Sequence, residues 1–305
     1  MRGAKNTPFE SGEHMFTTKA TIHSVLYGIA SAFIAFFAAG IPVQAQNPST
    51  VTAPITRDAA RTATLPNIVL IHGAWADASS WSGVIRRLQK AGYQVTAVQL
   101  GLASLDDDVA RTRSVLASQT GPTLLVAHSY GGAVITQLGP DAPNVVGLVY
   151  ESAFAPDEGE TMKALISGDP QPAGASAIRP DKQGYLWLDP DGFIKFFAPD
   201  VNPVEARVME AVQKPISAGT LLGDEKFGPP AWKSFPTWFL ITENDQMLPP
   251  AAQHLFAKRM NATVTSVAGS HVSMVSHPDA VADFIMRAAL TLRSTMNATG
   301  SPATR

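Results

Sequence analysis

The run PTLLVAHSYGG at Pro122–Gly132 passes from a strand to a helix through a single serine. Its apolar residues up to His128 have the unbroken character of a parallel strand covered on both faces. Gly131–Leu138 then reads as a helix. Ser129 sits at the junction, within Ala127-His128-Ser129-Tyr130-Gly131, a G-x-S-x-G pattern with alanine in the first place. So sharp a turn strains its central residue and needs small neighbours for strand and helix to approach. The serine then projects alone above the sheet, at a helix N-terminus. An ordinary serine in a tight turn is the plainer alternative, and the strand–turn–helix context disfavours it.

The same alternation continues outward. Asn67–His72 (NIVLIH), Tyr93–Leu100 and Val145–Glu151 read as strands, as do Thr237–Thr242 (TWFLIT) and Thr263–Ala268. Between and after them lie helices at Trp81–Ala91, Ser104–Gln119, Pro250–Met260 and Pro278–Arg293. Ser104 and three following aspartates suit the second helix's N-terminal dipole. This pattern predicts an α/β class fold with a mostly parallel sheet and helices on both faces. Its core is 65–153 and 236–293, followed by a flexible tail at 294–305. Residues 154–235 break the rhythm and are rich in Pro, Gly and aromatics. They are expected to form a cap insertion over the carboxyl ends of the strands, where open α/β sheets bind ligands. A separate small domain is the alternative, disfavoured because the sheet pattern resumes afterwards.

At the other end, no charged residue occurs between Lys19 and Arg57, and Val25–Ile41 is an apolar run. Val43-Gln44-Ala45 follows with a small residue at its end. Residues 1–45 therefore read as a secretory signal peptide, with an uncleaved anchor as the alternative, and 46–64 as a flexible leader. The expectation is an exported protein, periplasmic or secreted, with no membrane span after cleavage.

The chain has 305 residues, 45% hydrophobic and 16% charged, enough apolar material for a sizeable core. Its 23 basic and 25 acidic residues give no general attraction to nucleic acid. The absence of cysteine excludes disulfides, thiolate metal sites and a cysteine nucleophile. Histidine spacing suggests no metal site, no phosphate- or dinucleotide-binding glycine pattern occurs, and no cofactor is implied. Composition leaves the oligomeric state open.

A nucleophilic serine needs a base, an orienting carboxylate and donors for an oxyanion. His271 follows the last strand in a loop at its carboxyl end and is the expected base. His128 adjoins Ser129, His254 falls within a helix, and His72 reads as a loop anchor. Asp245, after the strand TWFLIT, is the chosen carboxylate, with Glu243 and Glu151 as rivals. The backbone N–H groups of Tyr130 and Ala74 are the candidate oxyanion donors, and Gly73 lets that loop approach. Trp75, beside the loop, is a candidate substrate contact. The cap aromatics Phe154, Tyr185, Trp187, Phe193, Phe196, Phe197, Trp232 and Phe235 could wall a pocket for an apolar or aromatic ester, but each is more readily a packing residue.

HGAWADASSW, AHSYGG, ITENDQMLPP and GSHVSMVSHP together resemble the α/β-hydrolase superfamily over about Pro66–Arg293. Within it they are similar to small carboxylesterases near the plant methyl-salicylate esterases and hydroxynitrile lyases. The resemblance implies the α/β-hydrolase fold and the chain order Ser129…Asp245…His271. It implies a serine hydrolase that cleaves small apolar or aromatic esters through an acyl-enzyme. The lyases of that branch carry Thr and Lys where this chain has Gly73 and Val272, which favours hydrolysis. A serine nucleophile also argues against dehalogenation through aspartate. A C–C hydrolase or lyase on the same fold, or a non-catalytic ligand-binding protein, is the alternative.

Overall fold

The computed structural model describes residues 64–142, 144–168 and 171–299. The expected signal peptide, all of the leader but Thr64 and the tail from 300 lie outside them. In chain order the strands are β1 (Asn67–Ile71), β2 (Val95–Val98), β3 (Thr123–His128), β4 (Val145–Glu151), β5 (Ile178–Pro180), β6 (Tyr185–Leu188), β7 (Ile216–Ser217), β8 (Thr237–Thr242) and β9 (Thr263–Val267). Six of them form one sheet in the order β2-β1-β3-β4-β8-β9, and every neighbouring pair is parallel. The central strands β3 and β8 are buried at every residue, as continuous apolar runs covered on both faces must be.

Caps in the sequence set the helix starts. Asp77 accepts the Ser79 N–H at 2.6 Å and opens a 3-10 turn at Ala78–Trp81, which leads into α1 (Ser82–Lys90). Ser104 accepts the Asp107 N–H at 3.1 Å at the start of α2 (Leu105–Ala117). α3 (Tyr130–Gln137) begins directly after Ser129. The C-terminal helix is longer than expected. It spans Pro278–Thr299, so the expected flexible tail from 294 is helical up to 299. Nothing in Ser294–Thr299 breaks a helix, and the Ser294 and Thr295 hydroxyls donate to carbonyls four residues back. The first breakers are Gly300 and Pro302.

The strand order reverses between β1 and β3. From β1 the chain crosses to β2 on one side, and from β3 to β4 on the other. The loops after β1 and β3 leave the sheet at its carboxyl edge, the edge where open α/β sheets hold their ligands. The segment between β4 and β8 carries a small antiparallel sheet, β5-β6-β7, with short helices. Among the described residues no helix is long and apolar enough to cross a membrane.

Close packing at the β3–α3 turn accounts for its glycines. A Cβ on Gly132 would lie 2.3 Å from the Phe154 carbonyl oxygen and 2.8 Å from the Ala153 Cβ. Gly132→Ala should therefore destabilise the fold by about 1–3 kcal/mol, the usual cost of overpacking. A lower urea midpoint with unchanged slope would register it, and an unchanged midpoint would contradict the packing argument.

Candidate active site

Ser129 adopts φ 52° and ψ −123°, a conformation that costs a non-glycine residue about 1–3 kcal/mol. Three backbone hydrogen bonds hold it there. Its N–H donates to the Glu151 carbonyl (3.3 Å), and its carbonyl accepts from Gly132 (2.9 Å) and Phe154 (3.1 Å). The side chain meets His271, whose Nε2 lies 2.9 Å from the Ser129 Oγ. On the far side of the ring, Nδ1 lies 2.7 Å from Asp245 Oδ2. All three side chains are buried. The network assigns the proton on imidazole to Nδ1, donating to Asp245, so that Nε2 can accept from the serine hydroxyl.

Asp245 is surrounded by hydrogen-bond donors. Its Oδ1 accepts from the Met247 and Leu248 amides at 2.8 and 2.9 Å, as an aspartate in a tight turn commonly does. Its Oδ2 accepts from Gln253 Nε2 (2.9 Å) and the Thr242 hydroxyl (3.2 Å) besides His271. Gln253 was not foreseen. It is fully buried beside Phe256 and Ala257 on the inner face of its helix, and a lone polar residue in that stripe was the available signal. Of the two rival carboxylates, Glu243 is exposed. Glu151 is buried and receives the Ser273 hydroxyl rather than His271.

Two further groups fix the base. His128 donates from Nε2 to the His271 carbonyl at 2.8 Å, and the two rings lie 4.7 Å apart. Burial, reinforced by the neighbouring His271, holds His128 well below the ordinary histidine range, so it is neutral. Asp200, from the cap, accepts the Ser270 amide (2.8 Å), the Ser270 hydroxyl and the Ser276 hydroxyl (3.1 Å). Burial alone would raise the Asp200 carboxyl, but the Ser270 donors outweigh it and hold it below the usual range. Asp200 thus braces the His271 loop from above, a contact no local pattern announces.

The loop after β1 lies directly against the serine, because a Cβ on Gly73 would come within 2.6 Å of the Ser129 Cβ. His72 anchors this loop. It donates from Nδ1 to the Gly73 carbonyl (2.8 Å) and accepts the Leu100 N–H at Nε2 (3.0 Å). Burial lowers its pKa to about 4. A histidine with a depressed folded value is neutral in the fold and takes up a proton on unfolding below its ordinary 6.5. Its contribution is complete above pH 6.5 and is lost as pH falls toward 4, by about 3 kcal/mol. Urea titrations at pH 7 and pH 4 should show this loss, reduced in His72→Gln.

Among the described residues, the Ala74 and Tyr130 N–H groups have no acceptor. Tyr130 is pinned through its hydroxyl to Asp108 Oδ2 at 3.0 Å. Asp108 is buried, so it does not serve the helix dipole from the surface as Asp106 and Asp107 do. It ties α2 and the loop after β2 to the serine turn, also accepting from Gly101 and Leu102. Trp75 donates from its indole to the cap carbonyl of Leu186 at 2.9 Å and meets Phe197 edge-on at 6.3 Å. It also lines a cavity of about 370 Å³ with Asp77, Arg86, Met209, Gln213 and Val275. Ser129 and His271 do not line that cavity. Phe197 sits over the base, its ring 5.3 Å from the His271 ring. Among the described residues no group of three His, Asp or Glu is placed to hold a metal ion.

Comparisons with known proteins identify the family. The profile described as the alpha/beta hydrolase family matches residues 68–284. A carbendazim hydrolyzing esterase of Nocardioides sp. is 36% identical over 33% of this chain, and the match spans 48% of that protein. Methylesterase 1 of Arabidopsis thaliana is 24% identical over 73% of this chain and 95% of its own. A solved pyrethroid hydrolase of Sphingobium faniae superposes with a TM-score of 0.62 at 25% identity, covering 74% of this chain and 98% of that one.

Proposed function

The chain belongs to the alpha/beta hydrolase family, and on that premise we propose that it hydrolyses carboxylic esters of small apolar or aromatic compounds through an acyl-enzyme on Ser129. The observation that carries this reading is the unbroken hydrogen-bonded line Ser129–His271–Asp245, at 2.9 and 2.7 Å and shielded from water. His271 takes the hydroxyl proton as the Ser129 oxygen attacks the ester carbonyl. Asp245 holds the imidazole tautomer and stabilises the imidazolium that forms. The amides of Ala74 and Tyr130 receive the oxyanion, each contributing about 2.7–4 kcal/mol. His271 then protonates the departing alcohol, and a water molecule, deprotonated by His271, releases the acid and restores the serine. The balance is ester plus water to acid plus alcohol, and the triad needs no cofactor for it.

The preference for apolar or aromatic esters is supported by Phe197 over the base and by Trp75 beside the loop after β1. It is supported too by relatives whose names specify an esterase, a methylesterase and a pyrethroid hydrolase. Ser129 is only 4% exposed and His271 1%, so cap side chains must yield for an ester to enter. Export is part of the same reading, and N-terminal sequencing of the mature protein should begin at Gln46. The function is tested with a panel of esters graded in acyl length and aromatic content. Turnover of short apolar and aromatic esters is expected. Inactivity on all of them, with cleavage of β-diketones, would overturn it.

A further inference from the structure

Ser129 and His271 are buried, and the cavity of about 370 Å³ that Trp75 lines is large enough for a small molecule, whose sites occupy about 300–1,000 Å³. Trp75 belongs to both places. Besides lining the cavity, its ring meets Phe197 edge-on, and the Phe197 ring lies 5.3 Å from the His271 ring. Along the chain, Trp75 stands two residues beyond Gly73, which is packed against the Ser129 Cβ. Two residues span at most about 7 Å. Two lines of contact therefore run from the cavity to the catalytic pair, and both start at Trp75.

Trp75 is held from the cap side. Its N–H donates to the Lys214 carbonyl at 3.0 Å and its indole to the Leu186 carbonyl at 2.9 Å. Its φ is 58°, which a bulky residue keeps only where its surroundings enforce it. Both restraints come from the segment between β4 and β8, so movement of that segment releases the backbone and the ring together. The opposite wall of the cavity is lightly built. It includes the helix Pro203–Ala211, in which Ala206 is the one buried residue and Met209 is half-buried. An element with so little buried surface opens at low cost.

The lining suits an apolar group, because several polar side chains there are engaged elsewhere. Gln213 exchanges two hydrogen bonds of 3.0 Å with the Leu188 main chain, and Arg87 grips Asp279. The Ser80 and Ser82 hydroxyls donate to main-chain carbonyls close by. Trp75, Met209, Val275 and Pro278 remain to receive a ligand.

We propose that this cavity is the vestibule through which the apolar part of an ester enters, and that Trp75 is the partition between it and Ser129, a specificity-determining residue whose bulk limits the ester accepted. The proposal rests on the hydrolase reading given above, and its test is arranged so that the two can fail separately.

The value of kcat/KM is measured for phenyl acetate and phenyl benzoate, which share a leaving group and differ in acyl bulk. The readout is the benzoate-to-acetate ratio, because a merely structural loss lowers both rates alike. Trp75→Ala should raise the ratio about ten- to hundredfold, the scale on which an apolar pocket discriminates size. Met209→Trp fills the cavity from the opposite wall without touching the loop after β1, and should lower the ratio about tenfold. A ratio unchanged in either variant overturns the proposal. A third measurement needs no turnover. The chain has no cysteine of its own, so in Ser129→Ala combined with Met209→Cys the introduced thiol reports on the cavity alone. Phenyl benzoate should slow its alkylation by iodoacetamide saturably, by about tenfold at ten times Kd. Alkylation that the ester does not slow overturns the proposal. Protection of the thiol, with a wild type inactive on every ester, would support the vestibule and overturn only the hydrolase reading.

Discussion

Replacing Ser129 by alanine should lower kcat/KM for a turned-over ester by about a million-fold, the loss seen when a triad nucleophile is removed. The protein should stay folded. The change removes one oxygen from a turn whose conformation is enforced by backbone hydrogen bonds to Glu151, Gly132 and Phe154, and none of these uses the side chain. The two readouts should therefore separate, with activity lost and the cooperative unfolding transition kept. A variant that loses both would place Ser129 in the structure rather than in the chemistry. With the proposed Ala74 and Tyr130 donors retained, traces of rate above the uncatalysed reaction are expected.

Asp245→Asn should cost about ten-thousandfold in kcat with the fold intact. The direction follows from which oxygen serves whom. The Met247 and Leu248 amides both donate to Oδ1, so the asparagine oxygen is kept on that side. Its NH₂ group then replaces Oδ2, where His271 Nδ1 and Gln253 Nε2 both donate in the native protein. To avoid two facing donors, the imidazole must move its proton to Nε2, which then points a hydrogen at the Ser129 hydroxyl. The base is present and in place but carries its proton on the wrong nitrogen. Steady-state kinetics with circular dichroism tests this. A loss below tenfold would mean that Asp245 does not set the tautomer.

The parts of this site legible in the sequence share one property. Ser129, Asp245 and His271 each follow a core strand closely, so that finding the strand locates the residue. β3, β8 and β9 carry apolar or β-branched runs, and their ends could be placed within a residue or so. The loop after β1 and the turn after β3 are located by the same logic. What stayed hidden depends on contacts between distant segments. Asp200 belongs to a stretch with no periodicity, and it reaches Ser270 only because the segment between β4 and β8 folds back to the loop after β9. The cap strands β5, β6 and β7 have three, four and two residues, too few for an alternation to register. Asp108 looked like one of three acids at a helix start, and only burial distinguishes it from its neighbours. Glu151 could be placed at a strand end, but which loop its carboxyl would meet could not be read from spacing.

The relation between Ser129 and its surroundings is tested most directly by a phosphonate ester, which a serine activated for acyl transfer attacks and cannot release. Peptide mass spectrometry of the treated protein should find one adduct, on the peptide that contains Ser129, formed at a rate that falls with Asp245→Asn and vanishes in Ser129→Ala. A fully folded protein that forms no adduct, or forms it on another residue, would contradict the account.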